Sequence, residues 1–202
     1  MYYKLYDPDY YIYTKKGPRN KHVSVSECSD RIGYFLEDLG VKAYTINPKD
    51  FHCNVLIRTD LIIEDPNIET LPFSIMKVEG DFIINNRTFK KLSRTPREVK
   101  GDFDVSGNQL TSLAYFPDTI GGSINISNNK ITKLTNTKGD SYIPDHIKGD
   151  FNCSGNRLGT LKGGPSVVDG DYDCSNNLLK NLDHKPTKYK LFVYAYNPLK
   201  KN

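Results

Sequence analysis

Residues 149–172 read GDFNCSGNRLGTLKGGPSVVDGDY and form one complete unit of a repeat, because the same pattern starts again at Gly170. The unit consists of Gly-Asp-aromatic, then Cys-Ser-x-Asn-x-Leu-x-x-Leu, then proline, and then a β-branched residue before the next glycine. Units with the same skeleton begin upstream at Gly80, Gly101 and Gly122. A fixed internal period of about 20–50 residues is typical of solenoids and related repeat architectures. This stretch therefore predicts a solenoid.

The repeat array is predicted to cover residues 59–202 in about seven units. The steps from Gly80 to Gly101 and from Gly101 to Gly122 are 21 residues each. The next step is 27 residues, and the six extra residues lie within 136–142, where their polar composition favours a loop. The first and last units keep the pattern poorly, as expected for terminal capping repeats. The units start at Thr59, Gly80, Gly101, Gly122, Gly149, Gly170 and Lys190.

Apolar and polar residues alternate after the start of each unit, as in Phe151-Asn152-Cys153. This alternation predicts a short β-strand with every second residue pointing inwards, and stacked units then form a parallel sheet. An asparagine follows the predicted strand, and its side chain can satisfy backbone groups where the chain turns. Pro66 and Arg87 occupy this position in the first two units. The predicted asparagine ladder therefore consists of Asn108, Asn129, Asn156, Asn177 and Asn197.

Cys153 and Cys174 occupy equivalent inward positions in adjacent units, which favours small apolar core residues over a redox pair. Together with Cys28 and Cys53 they show no CxxC pair and no zinc-finger spacing. We therefore expect free thiols in a cytoplasmic compartment and no structural zinc. No apolar run approaches the roughly 20 residues of a membrane span, and the start lacks the pattern of a secretory signal. No membrane association is expected.

Residues 1–58 lie outside the repeat and are predicted to form a small α+β cap over the first open edge of the solenoid. The tyrosine-rich start and the alternating residues up to Val25 favour a β-hairpin or a short meander. A helix is predicted to begin at Ser29 and to end at Gly40, because apolar residues recur at helical spacing between them. The other predicted elements are strands at 41–46 and 51–57, with a turn at Asn47-Pro48 between them.

The tyrosines of the cap allow two interpretations. Tyr10, Tyr11 and Tyr13 either pack against the first repeat or form a contact surface, since tyrosine is enriched at binding hot spots. No Ser/His/Asp set, phosphate-binding loop or HExxH motif is present, and the adjacent Glu37 and Asp38 point to different helix faces. We therefore expect no enzymatic activity and no cofactor, and an enzyme would have to place its site in the first segment.

The polar residues of the predicted strands form columns on the outward, concave face of the sheet. Two interpretations stay open. Each aspartate of the Gly-Asp pairs caps backbone N–H groups in its own turn, or the aspartates form an acidic stripe that receives a basic protein surface. Calcium is a weaker alternative, because oxygen ligands are present without an EF-hand or nonapeptide pattern. The candidate partner-binding residues are Asp81, Asp102, Asp104, Asn125, Asp150, Asn152, Asp171 and Asp173.

Basic residues concentrate outside the predicted strands, at 87–100 and near the C-terminus. Such runs are usually solvated faces, but here they are also the feature that favours nucleic acid. On the outward face, phosphates would meet carboxylates. Nucleic-acid binding by the surface at 90–100 is therefore the alternative function, and a protein partner is the leading one. The candidates for a basic patch are Arg87, Lys90, Lys91, Arg94 and Arg97.

Three segments carry a family resemblance: GDFDVSGNQLTSL at 101–113, GDFNCSGNRLGTL at 149–161 and GDYDCSNNLLKNL at 170–182. From the aromatic residue onwards they follow LxLxxNxL, with a further apolar residue four positions earlier, and they resemble the short leucine-rich repeats of tailed-bacteriophage and bacterial proteins. The resemblance covers about 59–202 and implies an α/β-type leucine-rich repeat solenoid with a short-stranded parallel sheet on its concave face. It also implies a phage or bacterial scaffold that binds, and in some cases blocks, host proteins such as defence factors in the host cytoplasm.

Overall fold

The computed structural model describes residues 25–49, 52–85 and 88–200. Helix α1 (Val25–Asp38) comes first, followed by strands β1 (Tyr44–Lys49) and β2 (His52–Ile57). The short strands that follow are β3 (Leu61–Ile63), β4 (Ile75–Val78), β5 (Phe82–Ile84), β6 (Glu98–Val99), β7 (Phe103–Asp104), β8 (Thr119–Ile120), β9 (Ile124–Asn125), β10 (His146–Ile147), β11 (Phe151–Asn152), β12 (Val167–Val168), β13 (Tyr172–Asp173) and β14 (Phe192–Val193).

Helix α1 packs an apolar face against the first turns of the repeat. Its end is the predicted one, because Gly40 follows it in the left-handed conformation with φ of 75°. The predicted start at Ser29 is wrong by four residues, because α1 begins at Val25. Among the described residues, no helix has the length and apolar character needed to cross a membrane. Among the described side chains of α1, the buried apolar ones are Ile32, Phe35 and Leu36.

Strands β1 and β2 form an antiparallel hairpin, with Tyr44 opposite Ile57. The predicted turn at Asn47-Pro48 is wrong, because β1 continues through both residues and pairs Pro48 with Cys53. Proline is tolerated there since β1 is the edge strand of its sheet. The hairpin predicted before α1 falls mainly within residues 1–24, which lie outside the described residues.

The repeat forms a solenoid of about seven turns, as predicted. One strand from each turn joins a 7-stranded sheet in the order β14-β13-β11-β9-β7-β5-β3, and all its pairings are parallel. In the described turns the returning chain contains short strands and loops rather than helix, so the expected α/β alternation is not found there.

The returning strands form a second sheet, not predicted from the sequence, in two parts that are not hydrogen-bonded to each other. The first is a 5-stranded sheet of order β1-β2-β4-β6-β8, which includes the β1–β2 hairpin, and the second is the pair β10-β12. The β-branched residues before each glycine, such as Val99 and Val168, lie in these strands. The two parts are separated by the six-residue insertion, which forms an exposed loop closed by an antiparallel bridge between Thr135 and Ser141.

The inward residues of the 7-stranded sheet form a continuous core, as the alternation predicts. Phe151 meets Tyr172 edge-on, with ring centroids 4.9 Å apart. Cys153 and Cys174 are buried free thiols in the neighbouring column. Apolar side chains stacked in this way remove their surface from water along the length of the solenoid. The buried members of the first inward column are Leu61, Phe82, Phe103, Ile124, Phe151 and Tyr172.

The asparagine ladder holds the chain where it leaves each strand of the 7-stranded sheet. Asn156 is buried, and its Nδ2 donates to the carbonyls of Ile126 and Cys153 at 2.9 and 3.2 Å. Its Oδ1 accepts from the Ile131 N–H at 3.0 Å, so one side chain joins its own turn to the preceding one. Asn108 makes the first contact of this kind among the described residues, as predicted.

Candidate functional site

The outward face of the 7-stranded sheet carries an aspartate column, which consists of Asp60, Asp81, Asp102, Ser123, Asp150 and Asp171. Each member of the column, up to Asp150, accepts a hydrogen bond from the backbone N–H of the next member, one turn further along the chain. Oδ1 is the acceptor of the aspartates and Oγ that of the serine. The donor–acceptor distances are 2.8 Å for Asp60–Asp81, 2.7 Å for Asp81–Asp102, 2.6 Å for Asp102–Ser123, 3.1 Å for Ser123–Asp150 and 2.8 Å for Asp150–Asp171.

The glycine before each aspartate makes room for the aspartate of the preceding turn. A Cβ atom at Gly170 would overlap Oδ1 of Asp150 and would lie only 2.8 Å from the Gly149 carbonyl oxygen. Gly80, Gly101, Gly122 and Gly149 meet the preceding turn in the same way. The expectation that each aspartate caps its own turn is therefore wrong. The Gly-Asp pair is a joint between two turns: the aspartate accepts the bond and the next glycine leaves space for it.

The second polar column lies two residues further along each strand and also supports the backbone. Oδ1 of Asp104 accepts from the Ser106 N–H at 2.8 Å, and Oδ1 of Asp173 accepts from the Ser175 N–H at 2.8 Å. Asn125 and Asn152 make the same contact two residues on, at 3.1 and 3.0 Å. These are Asx turns, in which a side chain replaces a backbone acceptor where the strand ends.

Both columns nevertheless keep charge at the surface. Asp102, Asp150 and Asp171 are exposed and Asp81 is partly exposed. Each ladder bond uses one carboxylate oxygen, and no ion pair between described residues involves the aspartate column. Neighbouring strands of a sheet lie about 4.8 Å apart, so these carboxylates stand close together. The candidate residues therefore share one acidic face, with Asp104 and Asp173 half-buried in the second column.

Charged residues on the second sheet form pairs with one another instead. Lys77 Nζ lies 2.7 Å from Glu98 Oε1 on the next strand. His146 and Lys188 both contact Asp169, at 2.9 and 2.7 Å, and hydrogen bonds from Lys188 and then His146 lower the pKa of its carboxyl. These pairs could not be expected from the sequence, because the second sheet was not predicted. The two surfaces therefore differ: these side chains of the second sheet form ion pairs, whereas the carboxylates of the aspartate column form none with described residues.

The predicted basic patch is only partly present. Lys90, Lys91 and Arg97 are exposed, whereas Arg87 lies outside the described residues. Arg94 is half-buried and donates from Nη1 to the carbonyls of Leu71 and Pro72 at 3.1 and 2.9 Å. Burial lowers the pKa of its guanidinium. Arg94 therefore fixes two turns to each other and is not a free member of a surface patch.

The last turn carries an exposed aromatic cluster that the sequence analysis did not select. Tyr189, Leu191, Tyr194 and Tyr196 are all exposed on or beside β14. The pattern KYKLFVYAYN at 188–197 contains the signal, because it holds four aromatic residues in a terminal repeat and three of them, Phe192, Tyr194 and Tyr196, alternate with other residues. Tyr194 occupies the position of Cys174, which is buried in the turn before, whereas Leu191 and Tyr196 occupy the positions of Asp171 and Asn176, which are exposed there as well.

The predicted acidic residues lie on one face of the structure, whereas the predicted aromatic site stays a prediction. Tyr10, Tyr11 and Tyr13 lie outside the described residues. In the described part of the chain, no three His, Cys, Asp or Glu side chains are grouped so that they could hold a metal ion. A scan against models of protein families, a search of curated proteins and a search of solved structures each gave no match.

Proposed function

We propose that the chain is a non-enzymatic protein-interaction module that binds a basic protein surface with the acidic face of its 7-stranded sheet. One observation carries the proposal: the aspartate column keeps unpaired carboxylates on successive turns, whereas charges on the second sheet are paired. Like charges on neighbouring strands repel, so this arrangement has a cost that a cationic partner would offset.

The ladder bonds make these carboxylates suited to binding. Oδ1 of Asp102 is held by the Ser123 N–H and Oδ1 of Asp150 by the Asp171 N–H, so both side chains have a defined orientation. Their second oxygen remains available to a lysine or arginine of the partner. A side chain that is already ordered loses less conformational entropy on binding. The binding rate should fall as the salt concentration rises, because exposed charges are screened.

The family of the repeat and the class of its protein partner are part of the same proposal. We infer a leucine-rich repeat protein of the phage type, supported by the LxLxxNxL pattern and by the buried ladder residues Asn108, Asn129, Asn156 and Asn177. Such a protein would bind and block a host protein, for example a defence factor, in the host cytoplasm. The N-terminal tyrosines Tyr10, Tyr11 and Tyr13 would extend the contact.

The test compares three immobilised proteins in a pull-down from bacterial lysate at physiological salt. The first is wild type, and the second carries Asp81→Asn, Asp102→Asn and Asp150→Asn, which remove charge but keep an oxygen acceptor for the ladder. The third is the control with Lys90→Gln and Lys91→Gln. The proposal expects a protein that wild type and control retain and the asparagine variant loses. Retention of the same proteins by all three would refute the acidic face as the site.

Nucleic-acid binding through residues 90–100 is the weaker alternative, since Arg94 is engaged with backbone carbonyls. Lys90, Lys91 and Arg97 remain exposed there. The alternative predicts binding to a single- or double-stranded oligonucleotide that weakens steeply with salt and is lost in the Lys90→Gln/Lys91→Gln control. Absence of binding at low salt would eliminate it.

A further inference from the structure

The last strand of the 7-stranded sheet has an open backbone edge. The carbonyls of Leu191, Val193 and Ala195 accept hydrogen bonds of 2.8, 2.8 and 2.9 Å from the preceding turn. Because backbone groups alternate in direction along a strand, Phe192 and Tyr194 point their N–H groups away from that turn. In the turn before, the equivalent N–H groups donate to the next turn. Within the described residues these two donors meet no next turn.

The side chains of this edge are also uncovered. Tyr196 is 83 % exposed, Leu191 55 % and Tyr194 45 %. Phe192 continues the aromatic stack of the core, 5.3 Å from the Tyr172 ring and 5.6 Å from the Tyr194 ring. The core therefore ends in an apolar layer at the C-terminal end of the solenoid. An exposed apolar cluster on an unpaired edge strand is a typical site of association.

The other end of the solenoid is covered by the chain itself. Helix α1 packs there, and the Phe35 ring meets Phe73 edge-on at 5.4 Å. Strand β2 pairs in parallel with β4 of the first turn. In the described chain no comparable element covers β14. The core is thus closed at its start and open at its end.

We propose that two copies of the chain associate through this edge, with the β14 strands antiparallel about a two-fold axis at Val193. In this register Phe192 lies opposite Tyr194 of the second copy, and each donates its N–H to the carbonyl of the other. Residues that exchange both bonds form the hydrogen-bonded pairs of an antiparallel sheet. Both cores lie on the same side of the joined sheet, so the aromatic layers cover each other.

The side chains fit this register. Leu191 lies opposite Ala195 of the second copy, so a larger apolar side chain faces a small one. The chain leaves the paired segment on either side of these residues, since the Lys190 N–H donates to the Gly170 carbonyl of the preceding turn and Tyr196 has φ of 58°.

Head-to-tail stacking of β14 on β3 of another copy fits less well. Thr59 occupies the glycine position of the first turn. At the equivalent Gly80, a Cβ atom would overlap the carboxylate of Asp60. A Cβ atom at Gly80 would also lie 2.7 Å from the Asp60 nitrogen and 2.8 Å from the Thr59 carbonyl carbon, so Thr59 of a following copy would by the same geometry collide with the Lys190–Leu191 backbone of the last turn. A two-fold contact avoids this collision and closes at two copies instead of forming an open filament.

The interface is small. The exposed parts of three tyrosines and one leucine from each copy amount to an area on the order of 1,000 Å² in total, since a buried aromatic side chain covers about 150–250 Å². Stable interfaces begin at about 1,200 Å². We therefore expect a dimer that forms at micromolar concentrations and dissociates on dilution.

Sedimentation equilibrium from about 1 to 500 μM tests the proposal. Wild type should shift from monomer to dimer, and Val193→Lys should raise the dissociation constant at least about 10-fold, because it places two ammonium groups at the axis. Ile83→Lys, in the same outward column of an early turn, is the matched control and should dimerise like wild type. Tyr194→Pro, which removes an edge N–H, should weaken dimerisation without touching the ladder to β13.

A charge swap tests the axis itself. Val193→Glu alone should be monomeric, and an equimolar mixture of Val193→Lys and Val193→Glu should recover the dimer. A two-fold axis at Val193 makes this recovery necessary, because residue 193 then faces its own copy. Circular dichroism confirms that each variant is folded. A wild type that stays monomeric at 500 μM, species larger than dimers, or dimers unaffected by Val193→Lys would each overturn the proposal.

Discussion

The backbone N–H of Asp171 donates a 2.8 Å hydrogen bond to Oδ1 of Asp150, the aspartate at the same position one turn earlier. The same relationship joins Asp102 to Asp81 and Asp81 to Asp60. An exposed carboxylate therefore contributes to the joint between turns. This structural use explains why the Gly-Asp pair recurs as a unit along the repeat.

Removal of the carboxylate should lower the free energy of unfolding at Asp150 but not at Asp171. Asp150→Ala leaves the Asp171 N–H without its acceptor, and we expect the free energy of unfolding to fall by about 1–2 kcal/mol. Asp171 is the matched control, because among the described residues no backbone N–H of the last turn donates to it. Asp171→Ala should change the free energy by less than about 0.5 kcal/mol. Urea denaturation measures both, and equal losses would contradict the ladder.

The glycine half of the joint can be tested separately. At Gly170 a Cβ atom would lie 2.8 Å from the Gly149 carbonyl oxygen, whereas at Gly159 nothing lies within 4 Å. Gly170→Ala should therefore destabilise the fold by about 1–3 kcal/mol through overpacking. Gly159→Ala should be neutral or slightly stabilising, because it restricts the unfolded chain. Thermal melting of the two variants gives the comparison. If both melt at the wild-type temperature, the close approach between turns is absent in solution.

The solenoid itself could be predicted from the sequence, because burial alternates with period two and repeats with a period of 21 residues. Phe151 and Cys153 point inwards and Asn152 outwards, as the alternation requires. The asparagine ladder could also be predicted, since one residue type recurs at one position. These features are local or strictly periodic. They can therefore be recognised without knowing how one turn contacts the next.

Contacts between turns could not be predicted in the same way. The Asp150–Asp171 bond joins residues 21 positions apart, and the sequence analysis placed the cap within a single turn. The second sheet was missed because strands of two residues, such as Val167–Val168, are too short to show alternation. The prediction that Arg94 belongs to an exposed basic patch is wrong for a related reason. Its acceptors are carbonyls of Leu71 and Pro72, which belong to the turn before.

The hydroxyl of Tyr172 is a polar group in the apolar core. This hydroxyl is buried and has no hydrogen-bond partner among the described atoms; the Cys153 thiol influences its pKa, but no hydrogen bond of acceptable geometry joins them. Burial, the largest cause, raises the pKa of Tyr172 well above its usual value. The same column contains phenylalanine in other turns, for example Phe151. A phenylalanine at this position would remove an unsatisfied polar group from the core.

Tyr172→Phe should therefore raise the free energy of unfolding by about 1 kcal/mol, because the folded state no longer desolvates an unpaired hydroxyl. Tyr44→Phe is the control, since the Tyr44 hydroxyl donates to Glu37 Oε1 at 3.2 Å. That change removes a contact near the surface and should be neutral or slightly destabilising. Guanidinium denaturation of wild type and both variants measures these changes in the free energy of unfolding. A loss of more than about 1 kcal/mol in Tyr172→Phe would mean that the hydroxyl has a partner in solution, such as a buried water.

The two core thiols, Cys153 and Cys174, should make the stability of the fold fall at alkaline pH. Burial raises the pKa of Cys174 to about 12 and that of Cys153 well above its usual value. In the unfolded chain both thiols should have a pKa of about 8.5. Above that pH the unfolded state loses protons that the folded state keeps, so stability falls as pH rises. Below about pH 8 the thiols are protonated in both states and contribute no pH dependence.

Replacement of both thiols should make the fold less stable at pH 7 but less sensitive to alkali. We expect Cys153→Ala/Cys174→Ala to lose about 1–3 kcal/mol at pH 7, because each change leaves a small core cavity. Between pH 8 and 10, however, it should lose about 2–4 kcal/mol less than wild type, since it has no buried thiols to ionise on unfolding. Urea denaturation under reducing conditions at pH 7, 8, 9 and 10 gives both values. Parallel pH profiles for wild type and variant would show that the thiols ionise as readily in the folded protein as in the unfolded chain.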